Sequence, residues 1–156
     1  MMNTRIERPT LASLITPERV WLPAQTPDKK TLVETLTLLA CAGRSEVDPR
    51  EVAVQVLKRE AEIPTVLETG LAIPHARVEE LTGFAAAVAV LPEPLEDVSG
   101  DQTRIMFLFL SPMDSSFFPK HLQLLGSLAS TFTPAFVAAL SKQQHAAGVA
   151  ALFAGR

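Results

Sequence analysis

The chain has 156 residues, 47% of them hydrophobic and 20% charged, which is the balance of a soluble globular domain with enough chain to bury a core. A formal net charge of -3 at pH 7 leaves no basic excess to displace counterions, which argues against a general nucleic-acid binder or a protein held on anionic membranes. The longest apolar runs, residues 84–91 and 105–110, are far too short to span a bilayer, so no membrane insertion is expected.

The N-terminal stretch MMNTRIERPTLASLIT carries charges but no sustained apolar segment, so a signal peptide is not expected and the protein is placed in the cytoplasm. VWLPAQ (20–25) reads as a short strand, with Pro23 suggesting a sheet edge. TPDKK then reads as a helix start, with Thr26 as N-cap and Pro27 in the first turn; Leu32, Leu36, Leu39 and Ala40 recur at helical spacing and Gly43 ends the element. Cys41, the single cysteine, lies among apolar neighbours; alone it can form neither an internal disulfide nor a cysteine-rich metal site, and it reads as buried packing. A second helix begins at DPRE, with Asp48 capping, Pro49 at the first helical position and Glu51 where a capping box wants it. Val52, Val56 and Leu57 form its apolar stripe, Arg59 and Glu60 fall near its C-terminal end, and Pro64 rules out continuation.

Three apolar runs follow: GLAI (70–73), FAAAVAVL (84–91) and IMFLFL (105–110). None alternates cleanly, which fits strands buried on both faces. PEPLEDVSGDQT (92–103) is rich in turn formers and acids and reads as a surface loop. After SPMDSSFFPK a third helix is expected, with Leu122, Leu125, Ala129 and Phe132 at its spacing and His121 in its first turn. TPAFVAAL starts another from a Thr133 cap and Pro134, and SKQQHAAGVAALF a last one from a Ser141 cap, with Val149, Leu152 and Phe153 inward. The order predicts a single α/β domain over 1–156, a mixed sheet sandwiched between helices.

One histidine stands out. Pro74 holds Ile73 extended, so the strand GLAI delivers His75 where the chain leaves the sheet, and α/β folds tend to bind ligands at strand ends. Taken alone, His75 reads better as a loop histidine bonded to backbone than as a nucleophile. Arg59 upstream and His121 downstream change its context.

With their local sequences these residues carry a resemblance: RE at 59–60, Thr65, GLAIPHAR at 70–77, LFLSP at 108–112 and HLQLLGSLA at 121–129. From about DKKTL onward the chain resembles the enzyme IIA domains of the fructose–mannitol–nitrogen type in the bacterial phosphoenolpyruvate-dependent phosphotransferase system. The resemblance implies that His75 is the phosphorylated histidine, charged by the small histidine phosphocarrier HPr and discharged to a cysteine on a IIB domain. It implies that His121 is the second active-site histidine and Arg59 the arginine that neutralises phosphoryl charge. The chemistry agrees. A neutral imidazole nitrogen must attack, its tautomer fixed by a bond from the other nitrogen. Arg59 offers a planar fork for phosphate oxygens, and His121, at a helix N-terminus, can donate a hydrogen bond to an anion. No cofactor and no metal are implied.

The sequence departs from that pattern at Val66 and Glu68, where glycine is frequent and a stiffer loop is therefore expected, at Thr69, where relatives often carry asparagine or glutamate, and at Ala76, where glycine is common and alanine disfavours positive φ. Met113, Phe117 and Phe118 read either as an apolar patch for docking a phosphocarrier or as side chains packed inward, and Arg77 as a solvated charge rather than a rim cation. Two other functions stay open. One is a regulator of the nitrogen type, whose phosphorylation state controls binding to target proteins, favoured here because no IIB or membrane module is read in the chain. The other is a metal-dependent hydrolase using His75, His121, His145 and Asp114, disfavoured because none of the histidine pairs has helical metal-ligand spacing.

Overall fold

The structure, a computed structural model, describes residues 9–97 and 99–156. The first eight residues, half of the stretch on which the leader expectation rests, and Val98 of the acidic connection lie outside them. Its elements in order are α1 (Leu11–Leu14), β1 (Val20–Trp21), α2 (Lys29–Ala40), α3 (Pro49–Glu62), β2 (Leu71–Ala72), β3 (His75–Val78), β4 (Ala85–Glu96), β5 (Gln102–Pro112), α4 (Phe118–Thr131), α5 (Pro134–Ser141) and α6 (Ala146–Leu152).

Among the described residues the sheet is mixed and has five strands. β4 and β5 form an antiparallel centre, β1 lies parallel to β4, and β2 and β3 both lie parallel to β5. Side chains of β4 and β5 alternate between two cores, as the period-2 geometry of strands requires. Ala85, Ala87, Ala89, Met106, Leu108 and Leu110 face α2 and α3, joined by Leu32, Val33, Leu36, Val52 and Val56. Ala86, Val88, Val90, Ile105, Phe107 and Phe109 face α4, α5 and α6, joined by Leu124, Leu128, Val137, Leu140, Val149 and Phe153. Helices therefore cover both faces, as the α/β sandwich expectation has it. The three alanines on one face of β4 leave room for α2 to lie close against the sheet.

Several local expectations need correction. α2 is capped by Asp28, whose carboxylate accepts the Thr31 N–H at 2.7 Å. Thr26 Oγ1 instead donates to the Glu93 carbonyl at 2.6 Å, tying the segment to β4. A carboxylate is the better N-cap, and taking it leaves Pro27 outside the helix. β1 ends at Trp21, although it does lie at the sheet edge that Pro23 suggested. The stretch PEPLE is not loop: it belongs to β4, with the register shift of a bulge between Val90 and Leu95, where prolines are tolerated. In α4 the buried residues are His121, Leu124 and Leu128, whereas Leu122 is exposed and Leu125 only partly covered. Ser141 is the last residue of α5 and caps nothing; α6 begins after His145. The Asp48 cap of α3 and the Thr133 cap of α5 form as expected, at 3.0 and 3.2 Å. Among the described residues no single helix is long and apolar enough to cross a membrane.

Candidate active site

The expected delivery of His75 at a strand end is refined by the structure. Pro74 does not lead His75 off the sheet; it separates β2 from β3, and His75 opens the second strand. The parallel register pairs His75 with Phe109 of β5, and neighbouring side chains on one sheet face meet. The imidazole accordingly stacks on the Phe109 ring at 5.0 Å between centroids, 3° from parallel. This leaves His75 only 4% exposed.

Its ring nitrogens have different partners. Nδ1 lies 2.7 Å from the Ile73 carbonyl, which can only accept, so Nδ1 carries the proton. Nε2 lies 3.2 Å from Nη2 of Arg59, which can only donate, so Nε2 presents its lone pair. Burial pushes the His75 pKa below its ordinary 6.5; the Ile73 carbonyl opposes that, Arg59 adds to it and Glu60 opposes it. The ring is therefore neutral near pH 7, with one fixed tautomer.

His121 comes from the first turn of α4, as the sequence places it, and is 5% exposed. Its ring lies 5.5 Å from that of His75 and 5.3 Å from that of Phe109. Its pKa is lowered to about 4, chiefly by burial, then by repulsion from His75 at the acid pH where that ring is itself protonated, and by the charges of Arg77 and Arg59. Nδ1 meets the hydroxyl of buried Ser111 at 2.6 Å. With that hydroxyl donating, the His121 proton sits on Nε2.

The two histidines lie in a cleft of about 520 Å³ lined also by Lys58, Arg59, Glu62, Arg77, Met113 and Phe118. Three cations against one carboxylate favour an anion in this space. Arg77 is not a free solvated charge: its Nη2 donates to the Met113 carbonyl at 2.8 Å and its guanidinium lies 5.0 Å over the Phe118 ring. The two phenylalanines divide. Phe117 packs against Phe84 and the inner core, while Phe118 and Met113, each 44% exposed, stand at the cleft rim. Ala76 points to the α2–α3 core in regular strand backbone, and among the described residues none other than glycine has positive φ, so its place needs no glycine. The loop before it does use one: Gly70 has φ +92°, and its carbonyl accepts from Arg104 and Ile105 N–H.

The sequence expectations thus bring His75, Arg59 and His121 to one place. They do not bring in the hydrolase set: His145 stands outside the cleft at the start of α6, and the Asp114 carboxylate accepts from Ser116 N–H and Oγ. Among the described residues, no group of three or more His, Cys, Asp or Glu side chains could hold a metal ion. Phe109 and Ser111 went unassigned in the sequence because both sit in an apolar run that reads simply as buried strand.

Arrangement and sequence both have counterparts. Residues 13–155 match the family described as the phosphoenolpyruvate-dependent sugar phosphotransferase system, EIIA 2. The chain is 30% identical over 130 residues to the transcriptional regulator ManR of Bacillus subtilis, covering 83% of this chain and 19% of that protein. It is 29% identical to the 2-O-alpha-mannosyl-D-glycerate-specific EIIABC component of Escherichia coli, over 77% of this chain and 18% of that one. The chain thus spans under a fifth of these two relatives, but 78% of the nitrogen regulatory protein of Pseudomonas aeruginosa, at 26% identity. The crystal structure of nitrogen regulatory protein IIA-Ntr from Neisseria meningitidis superposes with a TM-score of 0.80 at 25% identity, covering 92% of this chain and 98% of that one. IIA mannitol of Escherichia coli, at 20% identity and a TM-score of 0.73, shares the fold. The chain belongs to the type 2 EIIA family of the phosphoenolpyruvate-dependent sugar phosphotransferase system.

Proposed function

We propose that this chain is a cytoplasmic phosphocarrier and that Nε2 of His75 is its phosphoryl acceptor. One observation carries the reading: the Nδ1–H bond to Ile73 O leaves Nε2 unprotonated, and that nitrogen faces a cationic cleft beside Arg59. In the forward step the Nε2 lone pair attacks phosphorus of a phosphohistidine on an HPr-type carrier. The donor's N–P bond breaks, the donor nitrogen keeps the electron pair, and a new N–P bond forms on His75. The Nδ1 proton stays on its bond to Ile73 O throughout. Arg59 turns its fork from Nε2 to the phosphoryl oxygens, and His121, its proton on Nε2 opposite Ser111, donates to one of them. In onward transfer to a IIB cysteine thiolate, S–P forms as N–P breaks and Nε2 recovers its lone pair. Transfer of this kind needs positioning and charge stabilisation more than covalent help from side chains.

A second reading uses the same chemistry for regulation, the phosphorylated and free forms binding target proteins differently. The likeness to the Neisseria IIA-Ntr structure over 92% of this chain supports it. Both readings are tested by incubating the protein with radiolabelled phosphoenolpyruvate, enzyme I and HPr. Acid-labile, base-stable label is expected on the wild type and none on His75→Ala; label retained by that variant refutes the acceptor assignment. Adding a phosphate-accepting IIB domain then separates the readings, since a transport subunit discharges to it and a pure regulator does not.

A further inference from the structure

The carbonyl that fixes the His75 tautomer is itself held in place. Ile73 O accepts not only from His75 Nδ1 at 2.7 Å but also from Thr65 Oγ1 at 2.6 Å, and Ile73 N–H donates to Thr65 O at 2.8 Å. Thr65 is held in turn by Glu60, whose Oε1 accepts the Thr65 N–H at 2.9 Å. The Thr65 hydroxyl has a single proton, and its shortest contact assigns that proton to Ile73 O; Glu60 thus acts on Thr65 chiefly through the backbone. Glu60 is 3% exposed, an unusual place for a carboxylate, and follows Arg59 on α3. Its partner in charge is Lys29 Nζ at 3.6 Å, from the start of α2.

Taking a carboxylate and its cation out of water is costly, and replacing both partners of a buried ion pair with apolar groups is often neutral or stabilising, so such a pair is weakly explained by stability alone. A role in setting geometry accounts for this one. We propose that Glu60 and Thr65 are positioning residues for His75: they fix the Ile73 carbonyl so that Nδ1 keeps its proton and Nε2 stays available. The inference rests on the phosphocarrier reading, in which Nε2 is the acceptor. Glu60 and Arg59, adjacent on one helix, then act on opposite sides of the same imidazole, one through Nδ1 and the other at Nε2.

The test reads tautomer and transfer separately. Ring nitrogen shifts of His75 are recorded by NMR in the full chain for wild type, Thr65→Val, Thr65→Ser, Glu60→Leu and Glu60→Gln, and each is charged by phospho-HPr. The wild type is expected to hold the Nδ1–H form. Thr65→Val and Glu60→Leu should populate the Nε2–H form and slow charging by about 10- to 100-fold, the usual range for losing a partner that orients a functional imidazole. Thr65→Ser should restore both readouts, and Glu60→Gln, which keeps an amide oxygen for the Thr65 N–H, should stay near wild type. An Nε2–H wild type overturns the proposal, as does a folded Thr65→Val or Glu60→Leu with an unchanged tautomer; should both variants fail to fold, the wild-type tautomer still decides. If the tautomers shift as expected while wild-type His75 accepts no phosphoryl group, the phosphocarrier reading fails and the hydrogen-bonded clamp stands.

Discussion

At the level of single residues, the site is a set of neutral rings in a positive setting. Burial dominates the lowered pKa of both histidines, so neither adds positive charge to the cleft near pH 7. Phosphoryl acceptance by His75 should therefore fall off at a lower pH than for an ordinary histidine, keeping more than half of its plateau rate at pH 6.5, where an ordinary histidine is half protonated; a rate already halved at pH 6.5 contradicts this. In the proposed function, His121→Ala removes a donor but not the nucleophile. We expect charging slowed by about 100-fold, in the range for one lost transition-state hydrogen bond, with the final extent of phosphorylation unchanged. A normal rate returns His121 to a packing role. Lack of resolvable signal explains what the sequence left unassigned here. Ser111 is one polar residue at the end of an apolar run, and nothing in LFLSP marks it as the partner of a histidine ten positions on.

At the level of elements, α4 shows how a functional residue hides a structural pattern. Its buried stripe is His121, Leu124, Leu128 and Phe132, but a search for apolar periodicity passes over the histidine and selects Leu122, Leu125 and Ala129 instead. The two registers make opposite predictions. Leu124→Ala should destabilise the fold by about 2–5 kcal/mol, whereas exposed Leu122→Ala should fall within about 0.5 kcal/mol of wild type in denaturant titrations. Leu122 stands one turn after Phe118 on α4 and both are exposed; Phe118 lines the cleft with Met113, and in the proposed function that rim faces the phosphocarrier. Phe118→Ala is expected to raise the KM for phospho-HPr several-fold with little change in kcat, because rim contacts contribute to binding rather than to transfer. Strands were legible where they were long and apolar, as in β5. They were hidden in β3, where the four residues after Pro74 include His75 and Arg77 and form no apolar run, and in the bulged, proline-bearing end of β4. Helix starts at Asp48 and Thr133 were legible because cap and proline agree; at Thr26 and Asp28 two caps competed, and only the folded contacts to Glu93 and Thr31 separate them.

At the level of the whole molecule, the site sits where the sheet and both helical layers converge. α3 supplies Arg59, β3 supplies His75 and α4 supplies His121, from opposite faces and one strand between them. Composition and periodicity could reach the layered α/β fold, but no local pattern shows that residues so far apart in sequence share a cleft. That knowledge came from likeness to a family, and the geometry supplies its physical reason. Site and stability are coupled through pH. The folded pKa of His121 lies near 4 against an ordinary 6.5, so the unfolded chain binds more protons between these values. Stability from this residue is present above pH 6.5 and is lost as pH falls through 4, on the order of 3 kcal/mol in all. Melting temperatures followed from pH 7 to 4 should fall less steeply in His121→Gln than in wild type; parallel curves contradict the assignment. The central claim concerns one atom, and one spectrum tests it most directly. Nitrogen–phosphorus NMR of the protein charged by phospho-HPr should show the phosphoryl group on Nε2 of His75, with Nδ1 still protonated. Phosphorus on Nδ1 of His75, on His121 or on no histidine contradicts the account.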